Sequence, residues 1–368
     1  MANIILKATE DCNSNCVYCD VVSKRRKTLS MSIEILELVF IRINELLLAY
    51  PEEKVTIVWH GGEPLLLGSE YFRVAWELQE KHCAETKSKI EHCIQSNLTL
   101  FSEEFVDIFQ KLSITQIGTS YDPEPHMRGP GKKIDSEKYN QMFMRGIGLL
   151  EKHGFGWGVI YVVTQKSLAK PLDVFFFLTN LKLDGGLNMN PVLIYDNKRK
   201  HIAVTPGEYV EFLGAIFPTW WQYQNRYPNV EPFRSLKQCI KDREISLGCV
   251  NSKGCAYNHV NIAPDGEASQ CGRSSDWGIL QYGNIQDRPF AEILRDKQRY
   301  QFVERGEILQ KTECKGCRFW TICHGGCPLD AFAKHKSFMH KTEWCEAKKG
   351  FIEKYFEPIT GIRFEPYE

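Results

Sequence analysis

Three cysteines near the start of the chain, in Cys12-Asn-Ser-Asn-Cys16-Val-Tyr-Cys19, constrain it more than any other feature. Thiolates at C-x3-C-x2-C spacing on one short loop can ligate three irons of a 4Fe-4S cube and leave the fourth open, whereas a closed electron-transfer cluster takes four cysteines. An open iron calls for a small molecule to complete its coordination, and it is a place for chemistry. The loop follows an expected strand over Asn3–Thr9, so whatever it binds sits at a strand's C-terminal end. A zinc knot is the other reading of clustered thiols. Zinc wants a fourth Cys or His close by, and the nearest histidine, His60, falls on a different predicted strand.

At 368 residues the chain exceeds one typical domain and suits a barrel with an appendage. Lysine plus arginine equal aspartate plus glutamate at 46 each, so no basic field or polybasic run argues for nucleic acid or a membrane surface. No signal-like segment and no long uncharged apolar run is present, so a soluble, cytoplasmic protein is expected. Fourteen cysteines in a large chain of this kind point to metal rather than to disulfides.

Strand-like and helix-like segments alternate through the first part, the pattern of a parallel sheet wrapped by helices. Six strands are expected at Asn3–Thr9, Lys54–His60, Lys89–Ser96, Ile114–Tyr121, Gly156–Thr164 and Leu187–Val192. Amphipathic stretches near 32–48, 69–83, 102–111, 136–152 and 170–181 separate them. A further helix starts at Thr205-Pro206-Gly207-Glu208, with Thr205 as N-cap, Pro206 in the first turn and Glu208 closing a capping box. Six units fall short of the eight of a closed barrel.

A second motif, His60-Gly61-Gly62-Glu63-Pro64, ends the second strand. Its two glycines would let backbone approach a ligand closely. Together with the cysteine loop it resembles the radical S-adenosylmethionine superfamily. That resemblance implies an α/β fold, a partial (β/α)6 TIM-type barrel, with the Gly61, Gly62, Glu63 and Pro64 segment binding the methionyl amine of the cofactor. Around it, Tyr18 would shield the cluster or lie near the adenine. Ser120 and Asp122 end the fourth strand, where they could meet ribose hydroxyls. Arg128 is a fork for the cofactor carboxylate, and Asn97 and Asn190 follow the third and sixth strands. For each single polar residue an ordinary capped loop end is the competing reading.

The C-terminal third holds Cys249, Cys255, Cys271, Cys314, Cys317, Cys323, Cys327 and Cys345, enough thiols for two fully ligated 4Fe-4S clusters. Asn258–Gln270 reads as a hairpin around Pro264-Asp265-Gly266. The CX2CX5CX3C block resembles the SPASM extension of peptide-modifying radical enzymes. By that resemblance Cys249, Cys255, Cys271 and Cys327 bind one auxiliary cluster, and Cys314, Cys317, Cys323 and Cys345 the other, for three clusters in all. A pair of zinc ribbons is the alternative. Cys83, Cys93 and Cys239 fit neither set and are expected to be buried thiols. The expected division is a barrel over 1–235, a SPASM domain over 236–350 and a tail over 351–368.

The resemblance implies a 5′-deoxyadenosyl radical that abstracts hydrogen from an unactivated C–H bond. Two auxiliary clusters favour net oxidation. A reducing donor such as flavodoxin or ferredoxin would feed the first cluster. By spacing, the chain is similar to anaerobic sulfatase-maturating enzymes, which form formylglycine. In that family an aspartate follows the third auxiliary cysteine and serves as base. Here Gly272 stands there, and Asp276 on the same loop is the substitute base. The expected function is therefore oxidation of a ribosomally made precursor peptide, such as carbon–carbon or thioether cross-linking. Formylglycine formation, radical chemistry on a small molecule such as an aminocyclitol or nucleoside, and a non-catalytic iron–sulfur or zinc protein are the alternatives. The run Phe217-Pro-Thr-Trp220-Trp221-Gln-Tyr223 is expected to pack a helix against the barrel rather than wall a peptide site.

Overall fold

The computed structural model describes residues 2–19, 30–131, 134–195, 198–241, 248–255 and 257–365. In chain order the barrel-type elements are β1 (Ala2–Thr9), α1 (Ile33–Ala49), β2 (Val55–Gly61), α2 (Gly68–His82), β3 (Ile90–Gln95), α3 (Glu103–Lys111), β4 (Gln116–Ser120), α4 (Ser136–His153), β5 (Gly156–Val163), α5 (Pro171–Thr179), β6 (Gly186–Pro191) and α6 (Pro206–Tyr223). They are followed by β7 (Val230–Glu231), α7 (Phe233–Lys241), β8 (His259–Ile262), β9 (Glu267–Ser269), α8 (Gly272–Trp277) and β10 (Gln281–Asn284). The chain ends with α9 (Phe290–Leu294), α10 (Tyr300–Lys311), α11 (Trp320–Cys323), α12 (Pro328–His335), α13 (Cys345–Phe351) and short turns beyond. The strands are hydrogen-bonded in the order β10-β9-β8-β1-β2-β3-β4-β5-β6-β7. The six β/α units of a partial barrel are all present. Among the described residues no helix is long and apolar enough to cross a membrane.

Two compact units divide the chain, one made of 1–158 with 258–299 and the other of 159–257 with 300–368. In the first, β1 pairs in parallel with β2 and with β8, a neighbour about 250 positions away in sequence, and β9 and β10 continue the sheet antiparallel. Side chains alternate between faces along a strand. Ile4, Leu6 and Ala8 of β1, with Val55, Ile57 and Trp59 of β2, are buried. This face carries helices: Trp59 meets Phe72 of α2 with ring centroids 5.1 Å apart. Its indole N–H donates to His92 Nδ1 at 3.0 Å, and His92 Nε2 reaches Gln79 of α2 at 2.7 Å. Helix α1 adds Leu36, Val39, Phe40 and Ile43. Truncating such a side chain costs about 2–5 kcal/mol.

The opposite face is polar. It carries Lys7 and Thr9 of β1, His60 of β2 in register with Lys7, and Asn261 of β8 in register with Ile5. Cys93 of β3, in register with Val58, shares this face, and the structure corrects the expectation that it is buried: Cys93 is exposed, while Cys83 and Cys239 are buried. The Pro264-Asp265-Gly266 hairpin forms, with Ala263 N–H on Glu267 O at 2.9 Å and Gly266 N–H on Ala263 O at 2.9 Å.

In the second unit α6 begins as the sequence implies. Thr205 Oγ1 accepts from Glu208 N–H at 3.2 Å, and Glu208 Oε2 accepts from Thr205 N–H at 2.8 Å. Phe217 and Trp220 are buried against Phe233, and Phe217 also meets Phe351 and Phe356, so the aromatic run is helix packing.

Candidate active site

The cysteine loop is built as an antiparallel ribbon. Asn15 N–H donates to Gly129 O at 2.8 Å, Val17 N–H to Met127 O at 3.1 Å, and Gly131 N–H to Asn13 O at 2.6 Å. Cys12, Cys16 and Cys19 are all partly buried. Burial pushes the Cys12 thiol up to about 12, and although a hydrogen bond from Ser14 N–H opposes this, Glu63, Cys16 and Cys19 add to it. Burial also pushes Cys16 up to about 11, with Cys19 adding and Arg128 opposing. Cys12 and Cys16 are thus reluctant to ionise without a cation, and with Cys19 on the same loop the donor set fits a three-cysteine iron–sulfur cluster.

The Gly61-Gly62 pair admits the protein's own backbone at close range. A Cβ on Gly61 would stand 1.9 Å from Thr9 O, and one on Gly62 2.0 Å from Asp11 O. The glycines let the β2 loop close on the chain that leads into the cysteines. Gly62 N–H donates to Thr9 O and Glu63 N–H to Asp11 O, each at 2.8 Å, and Gly61 N–H meets His60 Nδ1 at 2.7 Å. Pro64 opens a tight turn that Glu63 caps. The buried Glu63 carboxylate accepts from Leu65 N–H at 3.0 Å, Ser96 Oγ at 2.8 Å and Asn97 N–H at 2.7 Å. Burial nonetheless outweighs these donors and raises its pKa to about 7. Asn97 reaches back with its Nδ2 to Asn13 Oδ1 at 2.9 Å, Ser14 Oγ at 3.1 Å and Cys12 Sγ at 4.0 Å. The loops after β1, β2 and β3 are thus one hydrogen-bonded assembly.

The loop after β4 is tied in through charge. Arg128 Nε donates to Asp122 Oδ2 at 2.5 Å, and Tyr18 O–H donates to the same oxygen at 2.7 Å. Arg128 Nη2 also meets the Tyr18 hydroxyl, and Nη1 reaches Tyr139 Oη at 3.3 Å. Arg128 and Asp122 are buried together, so the carboxylate that this fork grips is the chain's own. Tyr18 anchors the cysteine loop through its hydroxyl. Ser120 Oγ accepts from Gln95 Nε2 at 3.3 Å, and Asn190 is exposed at the end of β6 in the second unit.

Asp276 lies on α8, whose N-cap is Cys271, and its Oδ1 is 2.5 Å from Lys7 Nζ. Sequence reasoning missed Lys7. A lone lysine within an apolar strand was the available signal, since an unpaired lysine is almost never buried.

In the second unit Cys314, Cys317, Cys323 and Cys345 line one recess with Lys341, Lys348 and Lys349. Burial pushes Cys314 up to about 12, with Cys323, Cys345 and Cys317 adding. The four ring a space without converging on a point: among the described residues, no three His, Cys, Asp or Glu are close enough to hold a single metal ion. Cys255 and Cys327 both act on the buried Arg305, and Cys249 is exposed.

Residues 6–178 match the Radical SAM superfamily, and residues 249–318 match SPASM, an iron-sulfur cluster-binding domain. A serine-type anaerobic sulfatase-maturating enzyme of Bacteroides thetaiotaomicron is 26% identical over 88% of this chain and 81% of its own length. A cysteine-type anaerobic sulfatase-maturating enzyme of Clostridium perfringens is 24% identical over 98% and 97%. Among solved structures, native anSMEcpe with bound AdoMet and Cp18Cys peptide superposes with a TM-score of 0.82 at 24% identity, covering 98% of each chain. Streptococcus suis SuiB bound to precursor peptide SuiA gives 0.62 at 14%, covering 94% of this chain and 75% of that one. These similarities, with three cysteines on one loop, identify a radical SAM domain over residues 6–178 and a SPASM domain over residues 249–318.

Proposed function

We propose that this enzyme oxidises a side chain of a peptide or protein substrate by two electrons, with a cysteine or serine as the residue attacked. The observation that carries this reading is coverage: the similarity to the cysteine-type maturase runs through 98% of this chain and 97% of the relative, C-terminal cysteines included.

Cys12, Cys16 and Cys19 would hold the first cluster. Cys314, Cys317, Cys323 and Cys345 would hold one auxiliary cluster, and Cys249, Cys255, Cys271 and Cys327 the other. When bound, S-adenosylmethionine and the clusters supply a hydrogen-abstracting radical and an electron sink. The chain supplies aim. An ammonium needs acceptors. Since the N–H groups of Gly61, Gly62 and Glu63 are already engaged, the carbonyl oxygens of that loop are the groups to meet the cofactor amine. Ser120 and Asn97 border the same strand ends, and Asp122, Arg128 and Tyr18 keep the cysteine loop in place beside them.

Gly272 favours a second product from the same reaction class. Where the maturases are expected to carry an aspartate this chain has no side chain, so a carbon–carbon or thioether cross-link in a precursor peptide is the alternative outcome. The test is anaerobic incubation of reduced protein and S-adenosylmethionine with peptides carrying single serines or cysteines, in heavy water, read by mass spectrometry. A serine peptide that loses two hydrogens and reacts with a hydrazine probe has gained an aldehyde. Loss of two hydrogens without that reactivity is a cross-link. Unmodified peptide beside abundant 5′-deoxyadenosine would overturn the peptide reading in favour of a small molecule.

A further inference from the structure

We infer that Lys348 is the cation shared by the two auxiliary cluster sites, and that its charge raises their reduction potential so that they hold the electron taken from the substrate. This rests on the oxidative reading and the cluster assignment above. Lys348 lies on α13, three residues after Cys345, and lines the recess of Cys314, Cys317, Cys323 and Cys345. Its Nζ donates to the Oδ1 of Asn251, which stands two residues after Cys249 of the other set. A Cβ built on Gly326, the neighbour of Cys327, would be 3.7 Å from the same Nζ. One ammonium thus borders chain segments that carry ligands of both sets.

The partner of this ammonium is a neutral amide, and among the described residues no carboxylate pairs with it. Asp330 attracts it from further off, with its own Oδ1 taken by the Tyr195 hydroxyl at 2.6 Å. Burial disfavours the Lys348 charge, whereas Cys323, Cys345, Asp330 and Cys327 favour it. Arg305 repeats the arrangement independently. It is 2% exposed, and its guanidinium donates to the carbonyl oxygens of Phe338 at 2.6 Å, His340 at 2.7 Å, Gly325 at 3.1 Å and His324 at 3.4 Å. Burial opposes its charge too, and Cys327, Cys255, Cys314 and Cys323 favour it. A buried cation without an anionic partner is expensive. Four thiolates leave an iron–sulfur cluster net negative, so clusters on these cysteines would supply the charge that both cations lack.

In the oxidation the substrate radical gives up one proton to water or a base and one electron to a cluster. The accepting cluster becomes more negative by one charge, and no bond forms there. A positive charge nearby stabilises that reduced form over the oxidised one, and in a buried site salt screens it little. The effect is a higher potential, hence a better electron acceptor. A plain clasp is the competing reading, in which Lys348 only ties Asn251 to α13. Glutamine at position 348 keeps a donor for Asn251 without the charge, and arginine keeps the charge, so the two readings separate.

The test is an anaerobic redox titration of the reconstituted full chain, followed by electron paramagnetic resonance. A C12A/C16A/C19A background leaves only the auxiliary clusters to signal. K348M and K348Q should shift at least one midpoint potential to more negative values at unchanged iron content, and K348R should stay at the parent value. Midpoints that move in neither K348M nor K348Q would overturn the inference. So would a shift in K348M that K348Q restores, since the hydrogen bond and not the charge would then set the potential. Loss of iron from K348M and K348Q but not from K348R supports the inference, because the charge then holds the cluster itself. Loss from all three makes Lys348 a clasp and overturns it. A background protein without auxiliary iron would fail the cluster assignment before any variant is compared. A parent that converts no peptide would count against the oxidative reading alone and leave the potentials to judge Lys348.

Discussion

Replacing Gly62 by alanine tests whether the glycine pair exists to close one loop upon another. The new Cβ would lie 2.0 Å from Asp11 O, 2.4 Å from Asp11 C and 2.8 Å from Glu10 O, all backbone atoms that cannot rotate aside. Ordinary contact begins near 3.4 Å, so the loops must part by roughly 1.4 Å. That opening breaks the bonds from Gly62 N–H to Thr9 O and from Glu63 N–H to Asp11 O. Two such bonds are worth about 1–3 kcal/mol together, a fall of several degrees in melting temperature for a chain of this size. The functional loss should be larger. Asp11 precedes Cys12, so the first cluster moves with the loop, and a displacement near 1 Å can cost about 100-fold. The assay is 5′-deoxyadenosine formation by reduced protein without peptide, beside a thermal melt. If G62A cleaves S-adenosylmethionine at the parent rate and melts at the parent temperature, the clasp is not what the glycines are for.

Gly148 provides the contrast, since nothing lies within 4 Å of its added Cβ inside α4; G148A should raise stability by about 0.5–1 kcal/mol, read by denaturant unfolding. Burial lowers the His92 pKa to about 3, below its unfolded value near 6.5. Its stabilising contribution is therefore present above pH 6.5 and fades as pH falls toward 3, and the slope of unfolding free energy against pH over that window should be shallower in H92L, although H92L gives up two buried hydrogen bonds throughout. Glu63 has the opposite sign, with a folded pKa near 7 above its unfolded value, so its contribution is full below pH 4.5 and is lost as pH rises through 7; E63Q should remove that loss. Three cubanes predict about twelve irons per chain in the reconstituted parent and about eight in C317S/C345S, by iron assay, and about four in the parent would sink the SPASM cluster assignment.

The six repeating units were legible because each helix and strand carries its own period, and the start of α6 because a capping box is local chemistry. The pairing of β8 with β1 was not, since no short-range pattern links Ile5 to Asn261. Gly61 and Gly62 announced that something comes close, but a missing Cβ cannot say whether it is a ligand or Thr9 and Asp11. Arg128 read as a fork for the cofactor carboxylate because its partner, Asp122, six residues earlier, was itself assigned to a ribose. Cys93 read as core since free cysteines usually are, and its exposure follows from standing on the same face as Val58 rather than with Ile94.

The parallel pairing of β8 with β1 has a consequence for how products are chosen. Strand β1 leads directly into the cysteine loop and carries Lys7 five residues before Cys12. Strand β8 lies beside it, and its hairpin delivers Asn261, Gly272 and Asp276 to the same polar face. The loops that would bind the cofactor come from β1 to β4, whereas Asn261 and Asp276 come from a segment about 250 residues later. Substitutions in that later segment can therefore change what becomes of a substrate radical without touching the cysteine triplet or the Gly61-Gly62 clasp. Variation between 258 and 277 should alter product identity while leaving S-adenosylmethionine cleavage intact. Variation at Gly62, Glu63 or Asn97 should do the reverse, slowing cleavage while leaving unchanged the nature of whatever product still forms.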